Sequence, residues 1–389
     1  MIRSHPWLAA LALMAVACGS TTTGAAAPGT AVVPVVPTPS TSPITSPITT
    51  GTTVPTSTTP TSSTSTSSTT TSSTTTTTVA SVPTSFDALS AATTGLLAGN
   101  AAASVSVWRH GEQLFGWAGG SRVDGGRADS DTPFVIASVS KLVTAITLAR
   151  LVQRGDIATN DLVPWDTMGV AHDPGWNNVT VRELLAHTSG MPINRMSWLN
   201  DPGSCRIPLE AAMAAPPLPE RGTWVYSNGN YCALGLLVES LSGVGLDEAA
   251  NTFVFQPASI TGPYLTTEGL QPNSAPYAKG VARLERLGGA GTWIASSDDI
   301  GAMLSVITPS DLEILQWPGI TLDQYGWGHT GTVDGAKACA WVMDDLDIVL
   351  VAMVSGQRPG TGGALCDVLL PALATDLGVW ADKPVRNPP

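Results

Sequence analysis

Charge is scarce and unevenly placed in this 389-residue chain: Asp, Glu, Lys and Arg make up 12% of it, and none occurs between Arg3 and Asp87. Nearly all of the stretch from Thr21 to Ser85 is Thr, Ser, Pro, Ala and Val. Such a segment has too little apolar bulk to offset its ordering entropy and builds no core. Residues 19–85 therefore read as an extended stalk open to O-glycosylation, with a root-mean-square reach of roughly 45 Å as a flexible coil. Lysine is rarer still, at 141, 279, 337 and 383 only. The five histidines, at 5, 110, 172, 187 and 329, form no His-Glu-x-x-His pair, so the zinc-hydrolase pattern is missing. Neither a Gly-x-Ser-x-Gly elbow nor a Gly-x-x-x-x-Gly-Lys phosphate loop nor a convincing dinucleotide loop occurs. No metal and no cofactor are expected.

One long apolar run opens the chain, from Trp7 to Ala17 behind Arg3 and His5. It is too short for a mature membrane span and reads as an export signal over residues 1–18. Ala15-Val16-Ala17-Cys18 resembles a bacterial lipobox, which implies lipidation of Cys18 and a location on the outer face of the cytoplasmic membrane. Ala15 stands where leucine is commoner, so ordinary cleavage and secretion is the alternative. From Asp87 onward lie 17 of the 18 basic and all 30 acidic residues, a net charge of −13. An acidic surface excludes nucleic acid and adhesion to anionic headgroups, leaving the lipid as the membrane contact.

The chemistry-bearing residues begin with Ser138-Val139-Ser140-Lys141 at the start of an apolar helical stretch. A serine hydroxyl is a poor nucleophile near neutral pH and needs a proton acceptor within reach. Positions i and i+3 share a helix face, so the Lys141 amine can lie beside the Ser138 hydroxyl if burial keeps it partly neutral. Tyr226 would complete the relay. By itself Ser-x-x-Lys also fits an ordinary helix start, Tyr-x-Asn an ordinary turn, and His-Thr-Gly nearly anything.

The flanking text is more specific. Phe134-Val-Ile-Ala-Ser138-Val-Ser-Lys141-Leu, Val181-Arg-Glu-Leu-Leu-Ala-His187-Thr-Ser-Gly190-Met-Pro192, Tyr226-Ser-Asn228-Gly-Asn-Tyr231 and Gly328-His-Thr-Gly331-Thr-Val-Asp-Gly335 follow in that order. They resemble the β-lactamase-type serine hydrolases, the group of class C β-lactamases, secreted D-alanyl-D-alanine carboxypeptidases and related esterases, over residues 86–380. The resemblance implies an α+β fold: an antiparallel sheet flanked by helices, with a mainly helical subdomain inserted at about 156–285 and a short tail at 381–389. It implies Ser138 as the acylated nucleophile, Lys141 and Tyr226 as the pair that moves its proton, and Asn228 as the holder of the substrate amide. His329, Thr330, Gly331 and Thr332 would border the cleft, His329 standing where class C enzymes usually carry lysine. The backbone N–H groups of Ser138 and Thr332 would form the oxyanion hole.

Elsewhere the residues read as framework. Thr180-x-x-Glu183 is a capping box, and His187, just before Gly190, reads as structural. Asp298-Asp299 behind Ser296-Ser297 is helix-start chemistry, not an acid/base pair. Trp293, Trp317 and Trp327 read as core or cleft lining. Segments 103–108 and 114–118 alternate as a hairpin around His110-Gly111, 341–343 and 348–354 form another strand pair around Asp344-Asp345, and Lys141–Gln153 is a helix ended by Gly155. With Cys18 set aside, Cys205, Cys232, Cys339 and Cys366 allow three pairings in an oxidising compartment, 205 with 232 and 339 with 366 being favoured over the others and over four free thiols.

Substrate choice is least defined. A DD-peptidase binds a terminal carboxylate, yet no Lys or Arg lies between Arg286 and Lys337. Thr330, Thr332 and Arg358 remain to hold one. The first expectation is a monomeric D-alanyl-D-alanine carboxypeptidase-like or penicillin-interactive peptidase acting on peptidoglycan peptides. An esterase or amidase of the same group, a β-lactamase, and a catalytically silent wall-binding lipoprotein are the alternatives.

Overall fold

The computed structural model describes residues 83–193, 196–199, 201–308, 310–311, 321–323, 325–357 and 360–379. The leader, Cys18, the stalk up to residue 82, Trp317, Arg358 and the tail lie outside the described residues. In chain order the elements are α1 (Asp87–Thr93), β1 (Asn100–Arg109), β2 (Glu112–Gly120), β3 (Phe134–Val135) and α2 (Ser140–Arg154). Then come α3 (Val181–Leu185), α4 (Arg206–Met213), α5 (Asn228–Ser242), α6 (Leu246–Ala250), β4 (Tyr264–Leu265), β5 (Trp293–Ala295) and α7 (Ser297–Ser305). The chain closes with β6 (Thr321–Asp323), β7 (Gly326–Val333), β8 (Ala336–Met343), β9 (Ile348–Gly356) and α8 (Gly363–Asp376).

Six strands form one sheet in the order β2-β1-β9-β8-β7-β6, each neighbouring pair antiparallel. Its first and last halves of sequence meet at β1 and β9, where Val105 faces Ala352 and Val107 faces Leu350. His110 and Gly111 turn β1 into β2 with φ of 51° and 80°, the left-handed pair that a two-residue hairpin of matching twist requires. Every described residue of β8 is buried, and β9 likewise up to Ser355, because helices cover both faces. On one face Val105, Val107, Trp341, Leu350 and Val354 pack against Leu89 of α1 and Leu365, Leu369 and Leu373 of α8. The Asp376 carboxylate accepts from the N–H groups of Ala88 and Leu89 at 2.9 and 2.8 Å, so the end of α8 caps the start of α1.

The opposite face carries small residues, Ala338 and Ala340 among them, and meets α2, α7 and the helical part of the chain. Ser104 and Ser106 of β1 bond to Ser297 Oγ and O at 2.6 and 2.9 Å, seating α7 on the sheet. Capping boxes start both α3 and α7, through Thr180 with Glu183 and Ser296 with Asp299. Asp298 and Asp299 are thus first-turn residues of α7. A second, three-stranded sheet, β3-β5-β4, lies beside the start of α2. Segment 156–285 holds α3 to α6, several 3₁₀ turns and the short β4. Disulfides join Cys205 to Cys232 and Cys339 to Cys366, the favoured pairing, bridging the residue before α4 to α5 and β8 to α8. Trp293 and Trp327 are buried core residues.

Candidate active site

Ser138 stands in a single 3₁₀ turn, Ala137–Val139, that runs directly into α2. β3 delivers the chain there: Ile136 N–H bonds to Trp293 O at 3.3 Å, and Ser140 Oγ accepts from Trp293 N–H at 3.1 Å. Ala137 takes φ of 48°, a left-handed conformation that costs a residue with a Cβ roughly 1–2 kcal/mol. Helical spacing then lays Lys141 beside the serine, with Nζ 3.2 Å from Ser138 Oγ. The same amine is 2.7 Å from Asn228 Oδ1 and 2.9 Å from the Ala290 carbonyl oxygen.

Lys141 is 1% exposed, and burial holds its pKa well below the ordinary lysine range. A neutral amine has two N–H donors and one lone pair. In that form the two carbonyl oxygens would take the donors, leaving the lone pair for the Ser138 O–H. Tyr226 donates its hydroxyl to Ser138 Oγ over 3.0 Å, and burial pushes its pKa up to about 12, so it is a phenol near neutral pH. The Lys141 nitrogen lies 4.9 Å from the centre of the Tyr226 ring. This arrangement can take a proton from the serine at Lys141 and deliver one from Tyr226.

Tyr226 reaches the serine because Ser227 caps α5. Its Oγ accepts from Gly229 N–H at 3.2 Å and donates to Pro192 O at 2.7 Å, and Asn228 is the first residue of the helix. Two buried histidines flank the tyrosine, with ring centres 4.7 Å (His187) and 6.3 Å (His329) from its own. Burial first, then the Lys141 charge, lowers His187 to about 2 and His329 to about 3, so both rings are neutral. His329 Nδ1 lies 2.6 Å from the Thr330 carbonyl, which only accepts; the ring proton is therefore on Nδ1 and Nε2 carries the lone pair.

β7 passes close to the serine turn. A Cβ at Gly331 would fall 2.2 Å from Ile136 O, so only glycine admits the strand there. His329 and Gly331 face this side. Thr330 pairs with Cys339, whose sulfur reaches α8, and the Thr332 hydroxyl oxygen accepts from Gly362 N–H at 2.8 Å before α8. The expected carboxylate donor is thus already an acceptor for the backbone, with its own O–H still to give. No group of three or more His, Cys, Asp or Glu able to hold a metal occurs among the described residues.

The chain belongs to the beta-lactamase family. The Beta-lactamase family model matches residues 89–372, the sheet, the helical part and all four motifs together. The matched region takes in Ser138, Lys141, Tyr226 and Asn228. Among curated relatives it is similar to the unguisins hydrolase ungD' of Aspergillus campestris, 27% identical over 164 residues, 39% of this chain and 30% of that protein. It is also similar to penicillin-binding protein 4* of Bacillus subtilis, 29% identical over 149 residues, 36% of this chain and 32% of that protein. The chain spans about a third of the length of the curated relatives it matches. In fold it resembles the D-amino acid amidase of Ochrobactrum anthropi SV3 complexed with L-phenylalanine amide, with a TM-score of 0.62 at 18% identity, over 75% of this chain and 98% of that one.

Two contributors to this beta-lactamase-family site were not singled out from the sequence. The Ala290 carbonyl that takes a lysine proton ends the 3₁₀ segment Ala282–Ala290, held to α2 by Thr144 Oγ1 donating to Gly289 O at 2.7 Å. Asn230 packs its amide on His187, and only its place two residues after Asn228 on a capped helix pointed that way.

Proposed function

We propose that this chain is an exported hydrolase that cleaves D-alanyl peptide bonds of cell-wall stem peptides through an acyl-enzyme on Ser138. The carrying observation is the Lys141 amine, buried and shared among Ser138 Oγ, Asn228 Oδ1 and Ala290 O. In this reading Lys141 takes the serine proton as the oxygen attacks the carbonyl carbon. The backbone N–H groups of Ser138 and Thr332 hold the oxyanion, and Asn228 orients both the amine and the substrate amide. Tyr226 gives its proton to the departing amine and is reprotonated from Lys141. Water then attacks the ester by the reverse route and frees the serine. Support for a D-residue substrate comes from a relative named for penicillin binding and a fold neighbour that is a D-amino acid amidase. Export rests on the leader and Cys18; Cys18→Ser is expected to leave the membrane fraction with its hydrolase activity intact.

A second reading, an amidase or esterase for substrates without a terminal carboxylate, is favoured by one observation. No lysine or arginine lies between Arg286 and Lys337, the stretch that leads into β7. The purified protein incubated with penicillin, a D-Ala-D-Ala peptide and a short-chain ester, and followed by mass spectrometry, separates the readings. Ser138→Ala is expected to abolish every adduct and lower turnover by about four orders of magnitude or more with its melting unchanged. Labelling of Ser138→Ala at the normal rate ends the mechanism, and ester turnover without peptide turnover in the wild type selects the second reading.

A further inference from the structure

His187 is buried against the site, yet no step of the proposed mechanism uses it. It follows α3 in a left-handed backbone conformation, φ 57°, and its ring packs on Tyr226 at 4.7 Å and Tyr231 at 5.2 Å between centres. Its bonds bracket the catalytic tyrosine in the chain. The Val225 N–H donates to the His187 carbonyl at 2.8 Å, and the Ser227 N–H reaches its Nδ1 at 3.4 Å. The Asn230 amide nitrogen is 2.9 Å from the same Nδ1. Asn230 Oδ1 is turned the other way, accepting from Ser189 Oγ at 2.5 Å.

A backbone N–H can only donate, so Nδ1 must carry the lone pair and the ring proton sits on Nε2. That Nε2 is buried with no oxygen or nitrogen partner. A second proton on Nδ1 would set N–H against N–H and place a cation beside Lys141. The ring is therefore held in one tautomer, opposite to that of His329, and presents a single acceptor to the catalytic turn.

We propose that His187 is a positioning residue: as a neutral acceptor at Nδ1 it holds the Tyr226-Ser227-Asn228 turn, and with it the Tyr226 hydroxyl on Ser138 and the Asn228 carbonyl on Lys141. The substitution that tests this keeps the ring and loses the acceptor. In His187→Phe the aromatic packing and the Val225 bond survive, while Ser227 N–H and the Asn230 amide lose their partner. A shift of the turn by a fraction of an ångström lowers the acylation rate by about 10- to 100-fold, with KM kept within about twofold. His187→Asn puts an amide oxygen near the place of Nδ1 and tolerates the left-handed φ, so it recovers most of the rate.

The experiment is rapid-quench mass spectrometry of acyl-enzyme formation from an ester, on wild type, His187→Phe and His187→Asn, with thermal melts alongside. A second measurement needs no variant: ¹⁵N spectra of the wild-type imidazoles, where His187 is expected to stay unprotonated at Nδ1 and protonated at Nε2 from pH 5 to 8. Normal acylation by a folded His187→Phe, equal loss in both variants, or a proton on Nδ1 overturns the proposal. It rests on Ser138 and Tyr226 as the reacting pair, and the two fail separately. Labelling of Ser138→Ala would end that reading, whereas an inert Ser138→Ala beside an undamaged His187→Phe would end only this one.

Discussion

The two faces of the central sheet bury different chemistry. Toward α1 and α8 lies an apolar cluster of Phe86, Leu89, Val105, Val107, Trp341, Leu350, Leu369 and Leu373. Toward α2 and the helical part, the protein buries Lys141, its pKa held well below the ordinary lysine range, and the uncharged imidazoles of His187 and His329, alongside apolar residues. Burying a Leu or Val is favourable by roughly 1.5–3 kcal/mol, whereas a buried polar group is costly unless its bonds are met. The apolar face thus supplies stability, and the other spends some of it on a desolvated amine and two uncharged imidazoles. Reactivity and the cost to the fold have one cause, since desolvation is what lowers the Lys141 pKa.

The sharpest way to break this contrast is Lys141→Met, which keeps an unbranched chain and removes the base. Acylation is expected to fall by about 10²- to 10⁴-fold, with a melting temperature at or near that of the wild type. The wild-type pH profile checks the same group. Protonation turns Lys141 off, so kcat/KM on a neutral ester falls as pH drops through a pKa well below 10.5. Tyr226, at about 12, stays a phenol and causes no alkaline loss below that range. Activity that appears only near pH 10 would show a lysine that is not depressed.

The disulfides sharpen the comparison because both span 27 residues, one on each side of the sheet. Chain entropy assigns each the same contribution, about 3–4 kcal/mol. Replacing Cys339 and Cys366 by alanine should cost that stability, read by denaturant unfolding, and leave acylation unchanged in the folded enzyme. Replacing Cys205 and Cys232 should cost both, because Gly288 lies against Cys205 two residues before the carbonyl that holds Lys141. Equal activity in the two double variants would separate the lysine from that bridge.

The smallest effect expected is that of Thr332→Val. Gly362 N–H loses its acceptor, a loss of about 1 kcal/mol in stability. Ester hydrolysis should hardly change. A fall confined to a peptide with a free carboxylate would identify the Thr332 O–H as a donor to that charge, and an equal fall on both substrates would limit it to shaping the strand.

Much of the framework was legible because its signals are local. The hairpin at His110-Gly111, the helix closing at Gly155, the capping boxes at Thr180 and Ser296, and the apolar strand pair β8 and β9 around Asp344-Asp345 depend on near neighbours in sequence. The tail-to-head cap of α1 by Asp376 was not, since 288 residues separate its partners. Nor was the φ of Ala137, which is tolerated only where β3 and β7 hold the turn from both sides. His187 read as a structural residue, and nothing beside it in the chain betrays that its ring lies on Tyr226.

By itself the sequence determined which residue types were present for acyl transfer, and the three-residue spacing of Ser138 and Lys141 on one helix face. Only the tertiary structure decided their protonation. Whether a lysine is a base depends on how little water reaches it, and whether an imidazole donates or accepts depends on the group opposite each nitrogen. For Lys141 those groups come from α5 and from the carbonyl of Ala290, and for His187 from Ser227 and Asn230. Desolvation and hydrogen-bond direction are properties of the assembled packing, so no stretch of the chain carries them alone.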